Sequence, residues 1–273
     1  MKQRSRRLRQ GRDKTTRGII LIASVTILIV VASIVGISFS LGKKDIDRVS
    51  GCPKAGASSI TVVLVDLTDS INPVQAAALG NVLKKIRNKI PKFGKLEVYT
   101  LRDVRESVLA PAFSGCSPGS GRDVDSRLYG NPELADRLWS KVFASNVDLV
   151  IKEISRSINA QTSPILEGIQ SVSVTAFNGL GVSKGGAKKL IVISDMLHST
   201  QEMSMYRGMP SFKMFKKTQY FRSIKPDLEN VDVDIFLIVR KTRTDLQRPP
   251  LYKFWVEDIA ASGGFLKAWQ PLQ

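Results

Sequence analysis

The sequence predicts an α/β protein: a doubly wound, mostly parallel sheet with helices on both faces, preceded by one N-terminal transmembrane helix. Three observations predict it. Residues 18–42, GIILIASVTILIVVASIVGISFSLG, contain no charged side chain. From residue 59 onward, apolar runs rich in β-branched residues alternate with amphipathic stretches, the pattern of a sheet whose strands are joined by helices. Two of those runs, SITVVLVD (59–66) and KKLIVISD (188–195), end in an aspartate.

The elements follow in order. Residues 1–17 form a basic tail with eight Lys or Arg against the single Asp13, and flanks that basic stay in the cytoplasm. At about 1.5 Å per residue the apolar segment 18–42 is long enough for a hydrocarbon core of roughly 30 Å, and signal-peptide cores stop at about 7–15 residues. The expectation is a single-pass anchor in a bacterial inner membrane, N-terminus inside, with the rest periplasmic. Residues 43–58 read as a linker broken by Gly51, Pro53 and Gly56, and residues 59–273 as one extracytoplasmic domain. Cys52 and Cys116 both fall on the exported side, where oxidising conditions permit a disulfide.

Of the formal charge of +17, the tail supplies 8 − 1 = +7, leaving +10 on residues 18–273. A basic exported domain suits anionic surroundings, or simply stays soluble.

SITVVLVD lacks alternation, as in a strand buried on both faces. Asn72 and Pro73 look like an N-cap and first helical residue, opening a helix in which Leu79, Val82, Leu83 and Ile86 share a face. KLEVYTL (95–101) is a second strand, SVLAPAF (107–113) a short edge strand, and 114–132 a loop. Helices are expected over 133–145, 147–158 and from Pro164, where Ser163 is an N-cap candidate. Strands at 188–195, 231–239 and 265–269 complete the sheet, with a helix at 250–264 and a partly helical, Met-, Phe- and Lys-rich segment at 201–226.

In open parallel sheets ligands bind beyond the carboxyl ends of the strands. Asp66 and Asp195 stand at such ends, and Ser163 begins a helix leading to the second of them. Their candidate companions Thr68, Ser70 and Thr162 are hydroxyls, so the donor set is all oxygen and points to a hard cation, Mg²⁺ or Mn²⁺. Helix capping and turn formation are the other reading of Asp66, Ser70 and Ser163; for Asp66 and Ser70 the convergence of three loops favours the metal. Asp69 reads as a solvated turn residue.

The Asp66, Thr68, Ser70 pattern resembles the Asp-x-Ser-x-Ser of von Willebrand factor A domains. TSPILEGI (162–169) is similar to their second-loop Thr-Pro segment, VISD (192–195) to their third-loop aspartate, and FWVEDIAASGGFLKAW to their last helix and strand. The resemblance covers about residues 59–273. It implies a Rossmann-like fold and a metal-ion-dependent adhesion site made by Asp66, Thr68, Ser70, Thr162 or Ser163, and Asp195. The open position of the metal then takes an acidic side chain of a protein partner, without catalysis. The sequence departs from the pattern at Thr68, at Ser163 before the proline, and at Met196, where glycine is common and a longer side chain is expected to crowd the site.

Two other readings stay beside this one: a scaffold of the same fold with a metal-independent site, and a Mg²⁺-dependent phosphohydrolase with Asp66 as nucleophile. The second lacks an acid/base carboxylate two residues on, where Thr68 stands. His198, the sole histidine, has no partners for a catalytic pair and is expected on the surface or in a loop. The aromatic and basic FKMFKKTQYFRSIK (212–225) is expected to cover the sheet or touch a membrane surface; its exported position argues against nucleic acid.

Overall fold

The computed structural model describes residues 24–33, 45–102, 108–124, 130–154, 160, 162–177 and 182–272. The chain divides into two compact units, Met1–Asp45 and Ile46–Gln273. In the first, residues 24–33 form a helix, α1, with exposed side chains. Among the described residues no helix is long and apolar enough to cross a membrane; the tail 1–17 and most of the expected span 18–42 lie outside them.

The second unit runs β1 (Ala57–Asp66), α2 (Pro73–Lys89), β2 (Lys95–Leu101), β3 (Phe113–Cys116), α3 (Pro132–Trp139), α4 (Ser145–Ile154), α5 (Ile165–Val172), β4 (Val182–Ser194), α6 (Phe212–Phe215), α7 (Gln219–Ile224), β5 (Val231–Leu237), α8 (Pro249–Ala261) and β6 (Phe265–Pro271). The six strands form one sheet in the order β3-β2-β1-β4-β5-β6. Only the β2–β3 pair is antiparallel. This is a doubly wound order that reverses direction between β1 and β4.

Helices cover both faces, and β1 shows why its sequence does not alternate. Val62 and Leu64 pack under α5 and α8 with Ile165, Phe254 and Trp255. Val63 and Val65 point the other way, against Leu79, Val82, Phe143 and Val147 of the α2 and α3–α4 side. The first helix of this unit starts where expected: Asn72 Oδ1 accepts from Gln75 N at 2.9 Å, Gln75 Oε1 accepts from Asn72 N at 3.1 Å, and Pro73 opens the helix.

Several expected boundaries move. The edge strand lies at Phe113–Cys116, not 107–113, because Pro111 cannot donate to a ladder and Cys116 pairs with Lys95 while bonded to Cys52. The two helices expected over 133–145 and 147–158 are α3 and α4 joined through a π-helical turn, Ser140–Ala144; residues 155–158 lie outside the described residues. That wide turn inserts a residue into the helical count, so the apolar stripe changes direction: Phe143, Val147, Ile151 and Ile154 are buried, whereas Leu134, Leu138 and Val142 are exposed. The 212–225 segment covers the sheet as expected, with Phe212, Phe215, Phe221 and Ile224 in the core beside α8.

Candidate functional site

Asp66 ends β1 and Asp195 directly follows β4, so both stand at the point where the strand order reverses. Asp66 is buried, and its carboxylate is saturated. Oδ1 accepts from Thr68 N at 3.0 Å and Thr68 Oγ1 at 2.6 Å. Oδ2 accepts from Ser163 Oγ at 3.2 Å and Ser194 Oγ at 2.7 Å. Four donors fill the roughly four lone-pair sites that an ionised carboxylate offers.

The second loop is held from both sides. Ala160 N donates to Thr68 O at 2.7 Å, while Ser163 exchanges backbone hydrogen bonds with Ser199 at 2.8 and 2.9 Å. Ser163 does not act as the helix cap: Pro164 occupies that position without a side-chain bond, and the serine hydroxyl turns to Asp66. Thr162, half-buried, lines the cleft outside it, as does exposed Ser70.

In the third loop Asp195 Oδ1 accepts from Leu197 N at 2.9 Å. Met196 adopts a positive φ of 62°, the conformation glycine takes at low cost. The expected crowding does not arise, because the Met196 side chain is buried in the core and its carbonyl accepts from Trp255 Nε1 at 2.9 Å. Ser194 Oγ accepts the Met196 N–H at 2.8 Å and fixes this turn.

Sequence reasoning missed the residue that fills the centre of these loops. Arg240, three residues past β5, donates from Nε to Asp195 Oδ2 at 2.9 Å and from Nη1 to the Ser70 carbonyl. Its Nη2 lies 3.6 Å from Asp69 Oδ2. Gln247 holds the arginine backbone, accepting from Arg240 N at 2.8 Å while donating to Asp195 O at 3.0 Å and Ile238 O at 2.9 Å. An arginine after an apolar strand carries no spacing signal; only its place after the strand beside β4 marked it.

Burial, then the neighbouring negative charge of Asp66, raise the Asp195 pKa to about 6, against the opposing pull of the Leu197 N–H and Arg240. The cleft beyond has a volume of about 570 Å³ and is lined by Thr68, Ser70, Thr162, Tyr206, Arg240 and Arg243. Arg243 stacks over the Tyr206 ring at 5.5 Å.

The oxygen donors suit Mg²⁺ or Mn²⁺ in type but not in arrangement. Each oxygen of Asp66 and Asp195 already accepts from a protein donor, and the positive charge a metal would bring is supplied by Arg240. As they stand, these residues do not fit a divalent ion. Among the described residues no group of three His, Cys, Asp or Glu side chains could hold one either.

His198 is not on the surface but fully buried beneath the second loop. Leu166 N points at its Nδ1 at 3.5 Å, and the Tyr220 hydroxyl lies 3.1 Å from Nε2. Tyr220 also donates to Glu167. Desolvation pushes the imidazole down to about 3, so it stays neutral.

No family model matches the chain, and no curated protein matches it. Three solved structures show what it is similar to. Proximal thread matrix protein 1 from the mussel byssus is 15% identical with a TM-score of 0.37, over 71% of this chain and 42% of that one. The pilus adhesin SpaC from Lactobacillus rhamnosus GG is 14% identical with a TM-score of 0.34, over 57% and 16%. The conserved hypothetical protein BatB from Bacteroides thetaiotaomicron is 12% identical with a TM-score of 0.39, over 78% and 91%. The chain thus spans less than half of the first two, and at these scores none of the three carries an argument about function.

Proposed function

We propose that the chain is a membrane-anchored, extracytoplasmic, von Willebrand factor A-like binding module of a bacterial envelope assembly, which docks an acidic side chain of a protein partner at the carboxyl ends of its strands. The observation that carries this reading is the cleft at the β1/β4 reversal, where loops after β1, β4 and β5 and the loop before α5 meet around buried polar side chains. Arg240 and Arg243 on its wall favour an anionic group. The Cys52–Cys116 disulfide supports an oxidising compartment, and the basic flank ahead of residues 18–42 supports the inward N-terminus.

The module is not an enzyme in this reading. Asp66 is saturated by four hydrogen bonds and has no free oxygen edge for attack on phosphorus. A metal-dependent version of the same docking, with Asp66, Thr68, Ser70, Thr162 or Ser163, and Asp195 around Mg²⁺, draws support from the all-oxygen donor set; it requires Arg240 to leave Asp195 and so stands second.

Site-specific photocrosslinking in intact cells tests the docking face. A crosslinker at Ser70 or Thr162 is expected to capture a discrete partner band that a crosslinker at exposed Lys89, at the far end of α2, does not. Equal labelling from all three positions would end the proposal. Reporter fusions after residue 60 test the topology, and activity confined to a cytoplasmic reporter would refute the export.

A further inference from the structure

A site with two adjacent buried carboxylates needs a positive charge. Asp66 and Asp195 are both buried, and buried charges are found paired. A soluble ion is one source of compensation. A covalently attached guanidinium is another, with the advantage that its position is set by folding.

The structure contains the second arrangement in full. Arg240 is largely buried, with 16% of its side chain exposed, and its Nε and Nη1 reach two loops at once: Asp195 of the third and the Ser70 carbonyl of the first. The Gln247 amide fixes the arginine backbone and the Asp195 backbone together, so loop and guanidinium are positioned as a unit. Nη2, by contrast, is loosely held. Its closest acidic neighbour, Asp69, sits 3.6 Å from Nη2 and is 43% exposed.

We propose that Arg240 is the resident cation of this site, replacing a divalent metal, and that its Nη2 takes a carboxylate of the partner in exchange for Asp69. The proposal rests on the docking reading for its partner but not for its test. A divalent ion placed between Asp66 and Asp195 would face a fixed like charge across Asp195, so the guanidinium disfavours its binding. Asp69, 43% exposed, keeps its charge and turns to solvent when displaced, and the incoming carboxylate requires no ion to be recruited.

The test is calorimetric titration of Mg²⁺ and Mn²⁺ into the full-length protein in detergent, wild type and Arg240→Gln, with melting temperatures in parallel. Wild type is expected to give no saturable heat at millimolar metal and no change in melting temperature with a chelator. Arg240→Gln is expected to melt lower and to regain stability with Mn²⁺, since Asp195 is left without its cation. Saturable binding by wild type that Asp66→Asn removes would overturn the proposal, whether or not Arg240→Gln folds. That outcome would leave the docking face standing, because crosslinking from Ser70 and Thr162 reads the partner and not the cation. Unaltered melting of Arg240→Gln, with or without metal, would also overturn it.

Discussion

Ser194 Oγ lies 2.7 Å from Asp66 Oδ2 and 2.8 Å from the Met196 N–H. One hydroxyl therefore donates to the end of β1 and accepts from the turn after β4, tying together the two strands between which the sheet reverses. Ser194→Ala removes both bonds and leaves a buried N–H without a partner. Losses of this kind cost about 1–3 kcal/mol for each unsatisfied group. Urea denaturation of Ser194→Ala should show a drop of roughly that size, and a change of only a few tenths would mean that water or a shifted backbone replaces the hydroxyl.

Met196 sets two effects against each other. Its φ of 62° is unfavourable for a residue with a Cβ, by roughly 1–2 kcal/mol. Its side chain is fully buried, and removing a buried methionine costs about 2–5 kcal/mol. Burial outweighs the backbone penalty, so Met196→Gly is expected to destabilise by about 1–3 kcal/mol despite relieving the turn. A more stable glycine variant in the same denaturation experiment would show that the turn, not the core contact, governs this position.

The elements set by local pattern were legible in advance. The Asn72–Pro73 start of α2, the two-sided burial of β1 and the strand ends at Asp66 and Asp195 follow from residue chemistry within a few positions of each other. Ser163 beside a proline had two meanings in one dimension, cap or site residue; its hydroxyl leaves the helix start uncapped and bonds Asp66, 97 positions away. Arg240 was illegible because its role depends on β5 lying next to β4 and on the Gln247 clamp from the following loop. The burial of His198 within its loop was illegible for the same reason. Tyr220, which covers it, comes from a segment whose packing no periodicity in the third loop foretells.

The disulfide closes a loop across 64 positions, joining the segment before β1 to the end of β3. In the chain-entropy account a loop of that length is worth about 4 kcal/mol. Cys52→Ser with Cys116→Ser, or mild reduction of the wild type, should lower the melting temperature by about 10 °C. A melting curve unaffected by reductant, with thiols shown by labelling to be free, would place the native protein in its dithiol form and weaken the assignment of an oxidising compartment.

Two buried groups give stability opposite dependences on pH. Desolvation lowers His198 from 6.5 to about 3, so the unfolded chain takes up a proton that the native one does not, and the stability it contributes above pH 6.5 is lost as pH falls. Desolvation raises Asp258 of α8 from 3.8 to about 7, and its Oδ1 has no hydrogen-bond partner among the described residues. A raised carboxyl contributes stability that is complete below the unfolded value and disappears as pH rises through the folded one. Wild type should therefore be most stable between these limits, near pH 5–6. Asp258→Asn should raise the melting temperature at pH 8 by roughly 5 °C and leave it nearly unchanged at pH 4, whereas His198→Gln should flatten the acid limb alone. Melting curves of both variants across this range separate the groups: an Asp258→Asn gain of equal size at pH 4 and pH 8 would mean that the carboxyl is not the source of the alkaline slope.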